Sequence, residues 1–281
     1  MAEKEFPKAI EDKEPAGPYL GHHGLTNLSL TQGRLRDSIT SLRSIISFAQ
    51  NIGIPWVESQ ARSILGYRLM ASNRFQEALR EFNKAWDVGA KSQRQDLQRL
   101  ALHYKGLAYL GMRSRTRALR TAEELKTSIE GWAHQKEIRR YHHLMGMIEL
   151  DRKKYPEAIE HLETALAFLP FECSSWIEGH IQNNHALYMN SLALAYYRSG
   201  NLEKAIEYYE KLTMLTTGRL YFGDIYAKSF YMLGRIYQQS GNKAKAEENY
   251  NKFLALWFNA DANISEVGDA QRRLSGLNRM P

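Results

Sequence analysis

One cysteine, Cys173, stands in a chain of 281 residues, so no intrachain disulfide forms and no cysteine-rich zinc site can be assembled. A reducing cytoplasm is the expected setting. Prolines number only seven, which leaves long stretches free of residues that break helices. No run approaches the roughly 18 consecutive apolar residues of a membrane span. The first 18 residues mix Glu, Lys, Asp and Pro and lack the basic start and apolar centre of a signal peptide. The expectation is an unsecreted chain with no membrane partner. Paired carboxylates occur only at helix-surface spacing, as in Glu247 and Glu248 beside Lys243 and Lys245. Nothing supplies Cys173 and His185 with an orienting third group or an oxyanion site. No catalytic residue, cofactor or metal site is expected.

What the chain does have is self-similarity. A short polar turn is followed by a small residue that opens an apolar run, and this small residue falls at Ser38, Ala78, Ala118, Ala158, Ala205 and Ala246. The steps are 40, 40, 40, 47 and 41 residues. Ahead of each turn lies a second helical run with its own small residue, as at Gly66, Gly106, Gly146 and Gly234. Apolar spacing of three and four on both sides of each turn predicts a helix hairpin. The small residues predict close approach of packed helices, where a larger side chain would force them apart. Glycine inside a helix costs about 1 kcal/mol in propensity, so its recurrence at one register position indicates a packing requirement.

The cleanest copy reads Leu233, Gly234, Tyr237, then Gly241 and Asn242, then Ala246 and Tyr250. Its neighbour reads Leu192, Ala193, Tyr196, Gly200, Asn201, Ala205 and Tyr209. This phrase resembles the tetratricopeptide repeat, and the resemblance runs over about residues 20 to 258. The period is nearer 40 than 34 residues, and a closing proline appears only as Pro170. The resemblance implies an all-α, right-handed α-solenoid of about six helix hairpins closed by a C-terminal capping helix, whose Val267, Ala270, Leu274 and Leu277 recur at helical spacing. Residues 1–18 are expected to be a flexible tail or linker, 19–258 the solenoid, and 259–281 the capping helix and tail. The run from Leu215 to Phe230 and the ending through Trp257 and Asp269 are similar to the repeat region that follows kinase or cyclase domains in bacterial signalling proteins. No Gly-rich phosphate loop, His-Arg-Asp triplet or Asp-Phe-Gly accompanies it.

In such arrays the first helix of each hairpin lines a concave groove. The resemblance therefore places His23, Asn27, Tyr67, Met70, His103, Leu107, His143, Met147, Asn190, Tyr197, Tyr231 and Arg235 in a groove that holds a peptide or helical segment of a partner protein. Three histidines fall in one column, but equivalent positions in successive hairpins are expected about 10 Å apart, too far for one metal ion. Capture of a C-terminal carboxylate is not expected, because the first repeat carries His23 where lysine is needed and the second Ile64 where asparagine is needed. The turns inside the hairpins fall on one edge and carry Arg34, Arg36, Arg74, Arg113, Arg115, Arg117, Arg152, Lys153 and Lys154, with the formal net charge at +7. Nucleic acid or an acidic protein docking on this edge is the alternative to a groove partner. The 47-residue step places an insertion around residues 171–184, with Cys173, Trp176 and His180.

Overall fold

In the computed structural model, residues 2–12, 16–130, 135–168, 185–215, 221–262 and 264–277 are described. Among these the chain is helical with no strand. After α1 (Ala2–Ile10) come six hairpins: α2/α3 (Ala16–Thr31, Leu35–Asn51), α4/α5 (Pro55–Ala71, Phe75–Lys91), α6/α7 (Gln95–Gly111, Arg115–Glu130), α8/α9 (Ile138–Asp151, Tyr155–Ala167), α10/α11 (His185–Ser199, Leu202–Met214) and α12/α13 (Gly223–Gln239, Lys243–Leu256). Helix α14 (Ser265–Leu277) packs on the last hairpin through Ala270 and Leu277. The architecture is the expected all-α solenoid of tetratricopeptide type. At its start the structure differs from expectation. Residues Ala2–Ile10 form a helix on α2, with Phe6 and Ile10 against Gly24 and Gly21, because two apolar residues four apart make one face worth burying.

The turn inside every hairpin has the same construction. One residue is in the left-handed region, namely Gly33, Asn73, Arg113, Lys153, Gly200 and Gly241 in order. The amide after it reaches back to a carbonyl in the last turn of the preceding helix, as Arg74 to Leu69 at 2.9 Å and Asn242 to Tyr237 at 2.9 Å. This closes the helix with its terminal carbonyls satisfied. Asn201 and Asn242 then cap the second helix, accepting from the amides of Lys204 and Lys245 at 3.1 Å.

The small residues are where the helices touch. Ser38, Ala78, Ala118, Ala158, Ala205 and Ala246 are all fully buried. A methyl group at Gly146 would come 2.6 Å from Leu162 Cγ, and one at Gly234 would come 2.7 Å from the Tyr250 ring. Those two contacts close single hairpins; successive hairpins meet where the second helix of one packs on the first of the next, and their first helices also touch, α4 on α6, α6 on α8, α8 on α10 and α10 on α12. The first helices form the inner layer.

The inner layer closes on itself. Helix α12 packs on α2, so the sixth hairpin meets the first. At this seam the Trp257 indole donates to the Thr31 carbonyl at 3.1 Å, and the Asp261 amide donates to the Gly33 carbonyl at 3.1 Å. The Arg36 amide donates back to the Asp261 carboxylate at 3.0 Å. Deeper in, Arg68 of α4 donates to the Tyr221 carbonyl at 3.0 Å, and Tyr67 meets the edge of Phe222.

Replacing Ala158 with Leu is expected to overpack α9 against α8 and lower stability by roughly 1 to 3 kcal/mol, while Thr116→Leu on the exposed face of α7 changes little. Equal urea midpoints for the two variants would contradict the packing. Arg113 and Lys153 hold a left-handed backbone that disfavours side chains, so Arg113→Gly and Lys153→Gly should each raise stability by up to about 1 kcal/mol. A loss of stability in both would show that these side chains contribute more than the backbone costs them.

Candidate interaction surfaces

Closure decides what the concave side can offer. His103 and His143 are buried and bonded to each other, Nε2 to Nδ1 at 2.9 Å, across α6 and α8. They were expected about 10 Å apart. The hairpins converge toward the inside of a tightly curved array, and each imidazole adds its own reach, so the rings meet. The next partner fixes the tautomers. The Ser191 hydroxyl donates to the Leu187 carbonyl at 3.1 Å, so it must accept from His143 Nε2 at 2.9 Å. His143 Nδ1 is then bare and accepts from His103 Nε2. Tyr188 stacks on the His143 ring at 4.3 Å between centroids. Among the described residues no group of three metal-ligating side chains forms.

Four arginines share this interior and are almost fully buried: Arg68, Arg99, Arg139 and Arg140. Glu137 holds Arg139 at 2.6 Å and Arg140 at 2.8 Å, with Arg99 at 3.9 Å. Burial alone would raise the Glu137 carboxyl, but Arg140 and Arg139 outweigh it and hold it below the usual range. Arg68 lies over the Tyr67 ring at 5.4 Å while tying α4 to the start of α12. These arginines are the functional-looking residues that sequence reasoning missed.

The expected groove residues therefore divide. His23, Asn27, His103, His143 and Tyr231 are buried, so they do not line an open groove. The reason is the same for all five: they belong to the inner layer that closure brings together. His23 meets Tyr221 across the seam, Asn27 bonds to His23, and the Tyr231 hydroxyl donates to Asp269 of the capping helix at 2.8 Å. Tyr67, Met70, Leu107, Met147, Asn190, Tyr197 and Arg235 are half-buried. Of these, Tyr67, Met70, Leu107, Met147 and Tyr197 have one side against the core. The Arg235 guanidinium lies over both Tyr197 and Tyr231, at 5.6 and 5.7 Å.

The cations expected on the turn edge lie at or near the surface. Arg36, Arg74, Arg113, Arg115, Arg117, Arg152, Lys153 and Lys154 are exposed, and Arg34 is half-buried. Much of their charge is met locally. Arg34 pairs with Asp37, Arg74 with Glu77, Arg115 with Asp151, Arg152 with Glu149 and Lys154 with Glu157. Arg117 lies over the Tyr109 ring. Cys173, Trp176 and His180 fall outside the described residues. No described helix is long and apolar enough to cross a membrane.

The sequence of residues 184–257, which holds the fifth and sixth hairpins, matches the tetratricopeptide repeat family. No curated protein matches the chain. Among solved structures, human IFIT1, determined as a dimer with PPP-AAAA, is similar at 16% identity and a TM-score of 0.57, covering 97% of this chain and 58% of its own. The chain thus spans a little over half the length of that protein. A tetratricopeptide protein of Thermus thermophilus aligns at 17% identity and a TM-score of 0.49, over 79% of this chain and 100% of its own. BtubC from P. vanneervenii aligns at 17% identity and a TM-score of 0.49, over 88% and 93%. The likeness to IFIT1 is one of fold.

Burial pushes His143 down to about 3 and His23 to about 4, and drives His103 well below its ordinary value. The folded chain therefore keeps these rings neutral at pH values where the unfolded chain's imidazoles, near 6.5, take protons. Unfolding then takes up protons below about pH 6.5, so their contribution is present above that pH and lost as pH falls. Between about pH 6 and 5 the urea unfolding free energy should fall by up to about 1.4 kcal/mol per pH unit for each such histidine. His143→Gln should reduce that slope by one proton. An unchanged slope would place the proton uptake elsewhere.

Proposed function

We propose that this chain is a protein-interaction scaffold, and that its partner binds the half-exposed rim of the inner layer rather than the bottom of an open groove. One observation supports this above the others. Met70 and Tyr197 share one register position, eight residues before Ala78 and Ala205, and Leu107 and Met147 share another about one turn earlier; all four are half-buried, so two neighbouring columns of the inner layer offer adaptable, partly apolar contact surface. Repeats place equivalent positions side by side, which suits a helix or extended segment of another polypeptide. Tyr197, braced by Arg235, has the character of an interfacial anchor. The signalling role belongs to this proposal as well: the chain would be the partner-recruiting arm of a bacterial signalling system, on the strength of the resemblance of its last third.

Docking of nucleic acid on the basic edge is the weaker reading. Five of its nine cations already have a carboxylate partner, which reduces the charge available to phosphates. With a partner isolated from the native host, Met147→Ala with Tyr197→Ala should weaken binding about thirtyfold, the loss of roughly 2 kcal/mol typical of an anchor. Arg113→Gln, Arg115→Gln and Arg117→Gln together should have little effect, and affinity should depend weakly on salt. Binding that is lost in the arginine variant, untouched in the Met147 and Tyr197 variant and steeply salt-dependent would overturn the rim and favour the edge.

A further inference from the structure

The seam encloses a cleft of about 610 Å³, within the range of ligand-binding clefts. One wall is α3, with Arg36, Thr40 and Arg43. The other is α12 and the start of α14, with Asp224, Lys228 and Glu266. Ile39, Trp257 and Ile264 contribute apolar surface, and Arg74 reaches in from the turn between α4 and α5.

Most of the charge here is already matched. Lys228 pairs with Glu266 at 2.8 Å, and Arg74 holds Glu77 through two bonds of 2.7 Å. Three groups are different. Among the described residues, neither the Arg36 nor the Arg43 guanidinium has an ion-pair or hydrogen-bond partner, although both line the cleft. Asp224 is 8% exposed, and its Oδ1 is buried with no hydrogen-bond donor. A buried carboxylate oxygen without a donor is costly, and with Oδ1 closed off a donor in the cleft can meet Asp224 only at its other oxygen.

We infer that the seam cleft binds a short, extended, acidic segment of a polypeptide, its carboxylates on Arg36 and Arg43 and a backbone N–H on Asp224. The two arginines are seven residues apart on one helix, which sets them about 10 Å apart along the wall. Roughly three to four residues of extended chain cover that distance. Guanidinium forks match carboxylates in geometry as well as charge. A compact polyanion fits less well, because Asp224 and Asp261 both line the cleft and repel it, whereas a peptide carries N–H donors along its backbone that can face carboxylates. The segment would touch the first hairpin on one wall and the last on the other, so binding also clamps the seam.

The test uses the full chain and three probes: an acetylated, amidated tetraglutamate peptide, the matching tetraglutamine peptide, and inorganic pyrophosphate. Tetraglutamate is expected to bind one to one by calorimetry and to raise the melting temperature, while tetraglutamine does neither. Arg43→Gln and Arg36→Gln, both at exposed positions, should each weaken tetraglutamate by about tenfold. Arg120→Gln, an exposed arginine of α7 outside the cleft, should leave it unchanged and so excludes a general charge effect. Absence of tetraglutamate binding, equal loss in Arg120→Gln and Arg43→Gln, or tighter binding of pyrophosphate with the same arginine dependence would overturn the assignment. None of these outcomes bears on the rim test, whose Met147 and Tyr197 do not line this cleft.

Discussion

The carbonyls of Thr31 and Gly33 end the first inner helix, and each is satisfied from the far end of the chain, by the Trp257 indole and the Asp261 amide. A solenoid normally contacts only its sequence neighbours, and its ends stay open. Here the sixth hairpin covers the first, and the contact leaves no room for adjustment: a methyl group at Gly33 would meet Ala260 at 2.7 Å and the Trp257 ring at 2.8 Å. The glycine also has the left-handed backbone that the turn requires. Closure turns the inner layer from a lined groove into an interior, and that sets the chemistry of everything inside it.

An interior made this way holds polar and charged side chains. Several are bonded to one another, as in the run from His103 through His143 to Ser191 and in the grouping of Arg139 and Arg140 on Glu137, while Arg68 Nε and Nη1 and the Tyr188 hydroxyl have no hydrogen-bond partner among the described residues. Links between inner helices are made by the His103–His143–Ser191 run and the Arg99–Glu137 pair, and breaking that buried pair would leave an uncompensated charge. The rim, the basic edge and the seam cleft lie outside this interior.

The repeat was legible because packing acts on one position at a time. The fully buried openers from Ser38 to Ala246, and glycines such as Gly146 and Gly234, could be found by spacing alone. The turn residues were legible in the same way where they are glycine, but not where Arg113 and Lys153 take the same backbone. Curvature was not legible. No single residue encodes it, since it sums small rotations between hairpins, and so the burial of His23, His103 and Tyr231 could not be foreseen. The arginines did leave a trace. Arg68 stands ten residues before Ala78, where the later hairpins have Ala108, Ile148, Ala195 and Ile236, all fully buried. Arg99 and Arg139 share a register position with the buried Ala186 and Ala227. A charged residue in a column of buried apolar ones marks an interior that must accommodate it.

Closure is the claim on which the rest turns, and a distance across the seam measures it most directly. With Cys173 replaced by Ser, spin labels at Ser47→Cys on α3 and Asn251→Cys on α13, both exposed positions, report the separation of the first and last hairpins. An open array of six hairpins would hold its ends roughly 50 Å apart, at about 10 Å per step. The closed structure predicts a single narrow distribution well below that length. A broad distribution reaching the open-array length would contradict it.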